Sequence, residues 1–439
     1  MRPATGEGAR RDITAPLAIV GTGLAGLAAA VYAARRGIPA AIAGHGGALA
    51  YTSGYLDLLG RLDPPHGRVD DPWPALQVLR ATQPRHPLAR LDAEGIRQAF
   101  EAFTTFVGTH GIAYTPPGER NLLALTPVGT LKATLCMPRT MAAGARALAE
   151  RTPGVIVDVE GLAGFSAREC VANLARHWPG LAARRVVFPG LAPQTLHPEV
   201  MARALEVPST REAFAAALRE AAGDAAVVGL PAILGMHRPD EVHAAVERLV
   251  GRPLFEIPTM PPGVPGTRLR ELFEDALPRH GVSLVAQHEV GALHLDSDGA
   301  TLELADPFGP IRIRAQAVIL ATGRFLGGGL RARPDGIREA LLDLPVTQPE
   351  GRGEWYREHL ADARGHPLNR AGLEVDDTMR PLGRDGRPHH PRLFAAGTLL
   401  AHHDAVRSRS GAAVALATAW RAVASAVETL PGATSPGCG

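Results

Sequence analysis

Residues 17–26 run Leu17-Ala-Ile-Val-Gly21-Thr-Gly23-Leu-Ala-Gly26, and their reading decides the fold. The first four are apolar and suit a buried strand. The next six form a G-x-G-x-x-G turn, and the stretch from Leu24 to Arg36 continues as a helix. Residues 39–43 then supply a second strand, which completes a βαβ unit. In such a turn Gly21 permits the tight bend, Gly23 lets a phosphate approach the backbone, and Gly26 lets the helix pack close to the strand. Free N–H groups and the positive end of the helix dipole favour an anion at that helix start. Gly21, Gly23, Leu24, Ala25 and Gly26 are therefore expected to hold a phosphate-bearing cofactor. A carboxylate normally ends the second strand and binds a ribose hydroxyl. Here Ala43-Gly-His-Gly46 stands in its place. A shorter mononucleotide, or a dinucleotide held differently, would both fit.

Composition narrows the class. The chain has 439 residues, 46% apolar and 21% charged, an ordinary globular mix long enough for two or three domains. A net charge of +2 gives no general reason to bind nucleic acid. Lys132 is the only lysine, all other basic charge being arginine. Cys136, Cys170 and Cys438 are far apart and form no C-x-x-C pair. A metal site, a disulfide framework or an iron–sulfur cluster held by this chain alone is not expected, and a reducing cytoplasm fits. Arg10-Arg11 before the uncharged run 16–34 imitates an export signal. The glycines in that run make it weakly hydrophobic, and a strand with a helix accounts for it. No direct membrane insertion is expected.

Outward from the turn, the expected organisation is a flexible tail (1–14), a flavin-binding domain in two parts (15–190 and 286–439) and an inserted α+β substrate or cap domain (191–285). The flavin-binding part is a Rossmann-like α/β layer of the FAD/NAD(P)-binding kind, a parallel sheet with helices on both faces. Residues 93–108 pattern as a helix and 122–135 as a hairpin. Residues 155–159 form a strand followed by Gly161-Leu-Ala-Gly164, a turn that lacks a third glycine. Two later apolar strands end in small residues, at Thr322-Gly323 and at Gly397-Thr398, and a helix opens at Gly411. Three such strand ends in this order match two-domain flavoproteins, whose last helix points its positive end at the flavin ring. Thr52, Ser53, Thr322, Gly323, Gly397, Thr398 and Gly411 join the expected cofactor site. Alcohol oxidation needs a base, for which His402 and His403 stand after the last strand end. A phosphate needs cations, for which Arg324, Arg380, Arg407 and Arg409 are placed.

Several stretches carry a closer resemblance. They include Thr52-Ser-Gly-Tyr-Leu-Asp-Leu-Leu59, Thr126-Pro-Val-Gly-Thr-Leu-Lys132, Ala321-Thr-Gly-Arg-Phe-Leu-Gly-Gly-Gly-Leu330 and Arg352-Gly-Glu-Trp-Tyr356. On them the sequence resembles the B subunit of the anaerobic glycerol-3-phosphate dehydrogenase of bacteria. The resemblance implies oxidation of sn-glycerol 3-phosphate to dihydroxyacetone phosphate, with quinone as acceptor and fumarate or nitrate as terminal acceptor. It implies FMN, with FAD as the alternative, and two partners: a flavoprotein A subunit and a membrane-associated iron–sulfur C subunit. The chain would then lie in the cytoplasm, peripheral to the inner face of the membrane through those partners. A non-catalytic electron-transfer or assembly subunit is the other reading. Arg407-Ser-Arg-Ser410 departs from the glycine-rich run expected before the last helix.

Overall fold

The computed structural model describes residues 10–191, 196–360 and 362–431. Cys438 and residues 1–9 of the expected tail lie outside them. Strand β1 (Arg11–Val20), helix α1 (Leu24–Arg35) and strand β2 (Ala40–Gly44) form the expected βαβ unit. Residues 11–14 are not tail. They pair in parallel with residues 311–314 of a later strand. Charged and polar side chains on this exposed extension hide the strand from an apolar pattern, and its long neighbour supplies the ladder.

Helix α2 (Ala93–Thr109) starts at Asp92, whose side chain accepts from the Gly95 N–H at 2.6 Å. It buries Phe100, Phe103 and Phe106 on one face. Gly108, in its last turn, has nothing within 4 Å of where a Cβ would stand. Gly108→Ala should therefore stabilise the fold by about 0.5–1 kcal/mol, seen as a higher urea midpoint.

The hairpin β3 (Leu122–Leu125) and β4 (Leu131–Thr134) forms as expected. A second sheet follows helix α3 (Arg139–Glu150). Its strands are β5 (Gly154–Val159), β6 (Leu181–Val186), β7 (Val227–Pro231) and β8 (Leu254–Ile257), all parallel, in the order β8-β7-β5-β6. The insert is thus a doubly wound α/β layer rather than α+β, and its sheet begins at 154 rather than after 191. Helices cover both faces. Phe214, Leu218, Val242 and Val246 pack on one side, Leu148, Cys170 and Trp178 on the other. The insert meets the rest of the chain at Gly54, where a Cβ would lie 3.1 Å from Pro265 and 3.2 Å from Pro138.

Helix α4 (Val264–Arg279) and strand β9 (Val282–Ala286) return the chain to the first sheet, where β9 pairs with β2. Strands β10 (Ala292–Leu295), β11 (Ala300–Asp306) and β12 (Gly309–Leu320) follow, then β13 (Leu393–Ala395). The seven-stranded order is β9-β2-β1-β12-β11-β10, with β13 beside the end of β12. The pairs from β9 to β12, and β13, are parallel; β10 and β11 are antiparallel additions. Helix α5 (Gly411–Glu428) packs on α1, where Tyr32 and Trp420 meet edge to face at 5.0 Å. No described helix is long and apolar enough to cross a membrane.

Candidate functional site

Strands β1, β2, β12 and β13 all end on one edge of the first sheet, and backbone bonds lock these ends together. Gly21 N–H donates to Ala43 O at 2.7 Å, and Ala321 N–H to Val20 O at 2.8 Å. Ala396 N–H donates to Leu320 O at 2.9 Å. Gly21 adopts φ +113°, and a Cβ there would strike Ala321 O at 2.4 Å. A Cβ at Gly26 would sit 1.8 Å from Gly21 O. The helix can approach its strand this closely only with glycine at both positions.

Above these ends lies a cavity of about 640 Å³. Its floor includes Gly21, Gly23, Thr322, Thr398 and Gly411. Leu24, Ala25, Thr52 and Gly323 also line it, whereas Gly26, Ser53 and Gly397 do not. Gly26 supports the turn from beneath, and Gly397 packs under Ala25, its Cβ position 2.6 Å from the Ala25 methyl. Gly23 has open space where a Cβ would stand. The helix start is therefore bare, with free N–H groups facing the cavity, as a phosphate requires. The buried Thr322 Oγ1 has no hydrogen-bond partner among the described residues. Gly411 and Ala412 place the start of α5 on the same cavity. These features fit a flavin nucleotide.

The opposite wall comes from residues 52–57, the β3–β4 hairpin and Arg409. Tyr55 donates its hydroxyl to Leu125 O at 2.7 Å, which fixes the wall to the hairpin. Lys132 Nζ lies 2.7 Å from Asp57 Oδ2. Burial pushes the Asp57 carboxyl above its usual range, and Lys132 offsets only part of that. The sequence reading did not select Tyr55, Asp57 or Lys132. Two signals were available: Lys132 is the only lysine, and all three residues fall in the resemblance-bearing stretches 52–59 and 126–132.

The other expected residues separate. Arg324 lines the cavity, but its guanidinium donates to the carbonyls of Asn369, Leu400 and His403, and burial lowers it to about 10. Arg380 is held by Asp376 at 2.8 Å, and Arg407 by Asp63 at 3.1 Å. Neither lines the cavity. His402 Nε2 lies 3.5 Å from Glu374 Oε1, outside the cavity lining. His403 is wholly buried, and neither ring nitrogen has a hydrogen-bond partner among the described residues.

His403 faces His86, ring centroids 5.8 Å apart. Burial, then neighbouring arginines, depress both rings, His86 to about 3. The folded state keeps them neutral while the unfolded chain protonates near pH 6.5. Their stability contribution is thus complete above that pH and is lost progressively as pH falls below about 6.5, for His86 towards about 3. Each ring should add about 1.4 kcal/mol per pH unit to that loss. Urea midpoints at pH 7.5 and 5.5 measure it. His403→Leu should make the acid side of the curve shallower.

Comparison with known proteins agrees with this geometry. Residues 17–414 match the family described as FAD binding domain. A Halobacterium salinarum protein, named as a probable B subunit of anaerobic glycerol-3-phosphate dehydrogenase, is 30% identical over 434 residues, covering 95% of this chain and 99% of its own length. The anaerobic glycerol-3-phosphate dehydrogenase B subunit of Vibrio vulnificus is 28% identical over 421 residues, 93% of this chain and 95% of that protein. Among solved structures, the 3-ketosteroid delta1-dehydrogenase of Sterolibacterium denitrificans aligns at TM-score 0.43 and 12% identity, covering 94% of this chain and all of that one. With a flavin-type cradle at its strand ends and relatives of this kind along nearly its whole length, the chain belongs to the family of anaerobic glycerol-3-phosphate dehydrogenase B subunits, FAD-binding-domain oxidoreductases.

Proposed function

We propose that this chain binds FAD and oxidises sn-glycerol 3-phosphate to dihydroxyacetone phosphate, its electrons passing through partner subunits to quinone and on to fumarate or nitrate. The observation that carries the reading is one cavity with two chemistries. Its floor is a bare helix start among glycines. Its far wall bears a carboxylate and two cations, Asp57, Lys132 and Arg409. Bound flavin supplies the acceptor for a hydride from the alcohol carbon. The chain's own residues bind and orient. The start of α1 would hold the cofactor phosphate, and the positive end of α5, on the same cavity, would favour negative charge on a reduced flavin. Leu24, Leu49 and Leu326 give the cavity apolar surface that excludes water.

FAD is preferred to FMN because space continues past the glycine turn. Two further cavities of about 190 and 200 Å³ open on either side of His45. One reaches Phe273 and Gln287, the other Glu289 and Val290. An adenosine would lie in one of them, where Glu274 or Glu289 stands in for the carboxylate usual at the end of the second strand. Flavin released from the purified protein and weighed by mass spectrometry should be FAD.

The relatives, as B subunits, support partners: a flavoprotein A subunit and an iron–sulfur C subunit that would hold the complex at the inner face of the membrane. Anaerobic addition of glycerol 3-phosphate to the isolated, FAD-loaded chain should bleach the flavin absorbance. Bleaching only after the A subunit is added would instead assign the chain an electron-transfer role.

A further inference from the structure

The cavity's far wall sets the expected Arg409 beside two residues, Asp57 and Lys132, that the sequence reading did not select. A lysine ammonium has three N–H donors. One of those on Lys132 meets Asp57 at 2.7 Å, while the side chain keeps 26% of its exposure on the cavity wall. The Asp57 side chain is only 9% exposed, and its Oδ1 is buried with no hydrogen-bond partner among the described residues. The pair therefore retains both an available donor and an available acceptor.

Arg409 stands beside them. Its Nη1 donates to Leu131 O at 3.1 Å, the residue next to Lys132, and its charge also reaches Asp57. Of the four arginines placed for a phosphate, Arg380 and Arg407 are paired with carboxylates. Arg324 is committed to three carbonyls. Among the described residues, Arg409 alone of the four lines the cavity with no carboxylate partner of its own and only one nitrogen committed. It does so from a left-handed backbone, φ +50°, which ordinarily favours glycine.

We propose that Asp57, Lys132 and Arg409 form the subsite for a phosphorylated polyol, the two cations gripping the phosphate and the carboxylate accepting a hydroxyl hydrogen bond. This rests on the reading of an alcohol phosphate as substrate. Two cations and one carboxylate leave one net positive charge before the ligand arrives. A phosphate dianion complements the cations, and a neighbouring hydroxyl satisfies Oδ1.

Calorimetric titration of the FAD-loaded chain with glycerol 3-phosphate, inorganic phosphate and glycerol tests this directly. Arg409→Gly suits the left-handed backbone and keeps the fold. It should weaken glycerol 3-phosphate and phosphate about tenfold to a hundredfold. Lys132→Met should do the same, and Lys132→Arg should restore most of the affinity. Asp57→Asn should weaken glycerol 3-phosphate while sparing phosphate. Glycerol should bind far more weakly than its phosphate in the parent. Flavin absorbance checks that each variant remains loaded. If the parent binds glycerol 3-phosphate and Arg409→Gly and Lys132→Met bind it equally well, the subsite is wrong and the substrate reading stands. If the parent binds phosphate through these residues but not glycerol 3-phosphate, the subsite stands and that substrate falls. A parent that binds neither overturns both.

Discussion

Gly23→Ala is expected to fold like its parent and to purify without colour. A Cβ at Gly23 meets no protein atom within 4 Å, and the backbone there is unstrained, with φ −79°. Nothing in the fold opposes the methyl group. It would, however, enter the space in front of the α1 start, where a cofactor phosphate approaches the backbone. Losing that approach costs on the order of 3 kcal/mol, about a hundredfold in flavin affinity. Gly26→Ala makes the contrast. Its Cβ would stand 1.8 Å from Gly21 O, so it should lose flavin and stability together. Circular dichroism, urea midpoints and fluorescence titration with FAD separate the two outcomes. A yellow Gly23→Ala protein with full flavin stoichiometry would mean the cofactor docks elsewhere.

Arg268→Met should destabilise the protein by about 3–5 kcal/mol, because it leaves Glu256 charged and buried without its partner. Both side chains are nearly inaccessible, at 3% for Arg268 and 0% for Glu256. Two bonds join them, at 2.7 and 2.9 Å. Thr140 Oγ1 and the Leu234 N–H each donate to the same carboxylate at 2.7 Å. Burial alone would raise the Glu256 carboxyl, but Arg268 and these donors outweigh it and hold the carboxyl below its usual range. The arginine also donates to the carbonyls of Gly235 and Leu234. It thereby ties α4, which serves the first sheet, to the loop after β7 in the second. The double variant Arg268→Met, Glu256→Met should recover most of the loss, since no charge is then stranded. Equal loss in single and double variants would show that packing, not the stranded charge, carries the effect.

The first βαβ unit was legible in the sequence because three signals coincide there: a buried apolar strand, a glycine turn and an apolar helix. The strand ends at Thr322 and Gly397 were legible because an apolar strand runs into small residues at each. Residues 11–14 were not, since their strand is held by a neighbour far along the chain. Of the second sheet only β5 was legible, as the apolar run 155–159. Strands such as β7, buried on both faces, lack the alternation that marks an exposed-edge strand, and alanine-rich helices surround them. The far wall escaped because Asp57 and Lys132 meet only through folding of two distant segments. His402 and His403 stood at the right distance from a strand end. The backbone, with His402 at φ +65°, carries them behind Arg324 instead of over the cavity.

The chain enters and leaves the inserted layer side by side, with Pro138 and Pro265 both against Gly54. At this junction the hairpin is not free of the insert: Leu123, Leu125 and Leu131 pack with Leu148 and Phe255, and Tyr55 and Ala124 pack with Met137 and Met141. The wall of the cleft is thus built into the inserted layer's own packing, and the Arg268–Glu256 pair fastens α4 to the same layer. A cavity-forming substitution in the insert, far from any ligand, should therefore reach the cleft through that wall.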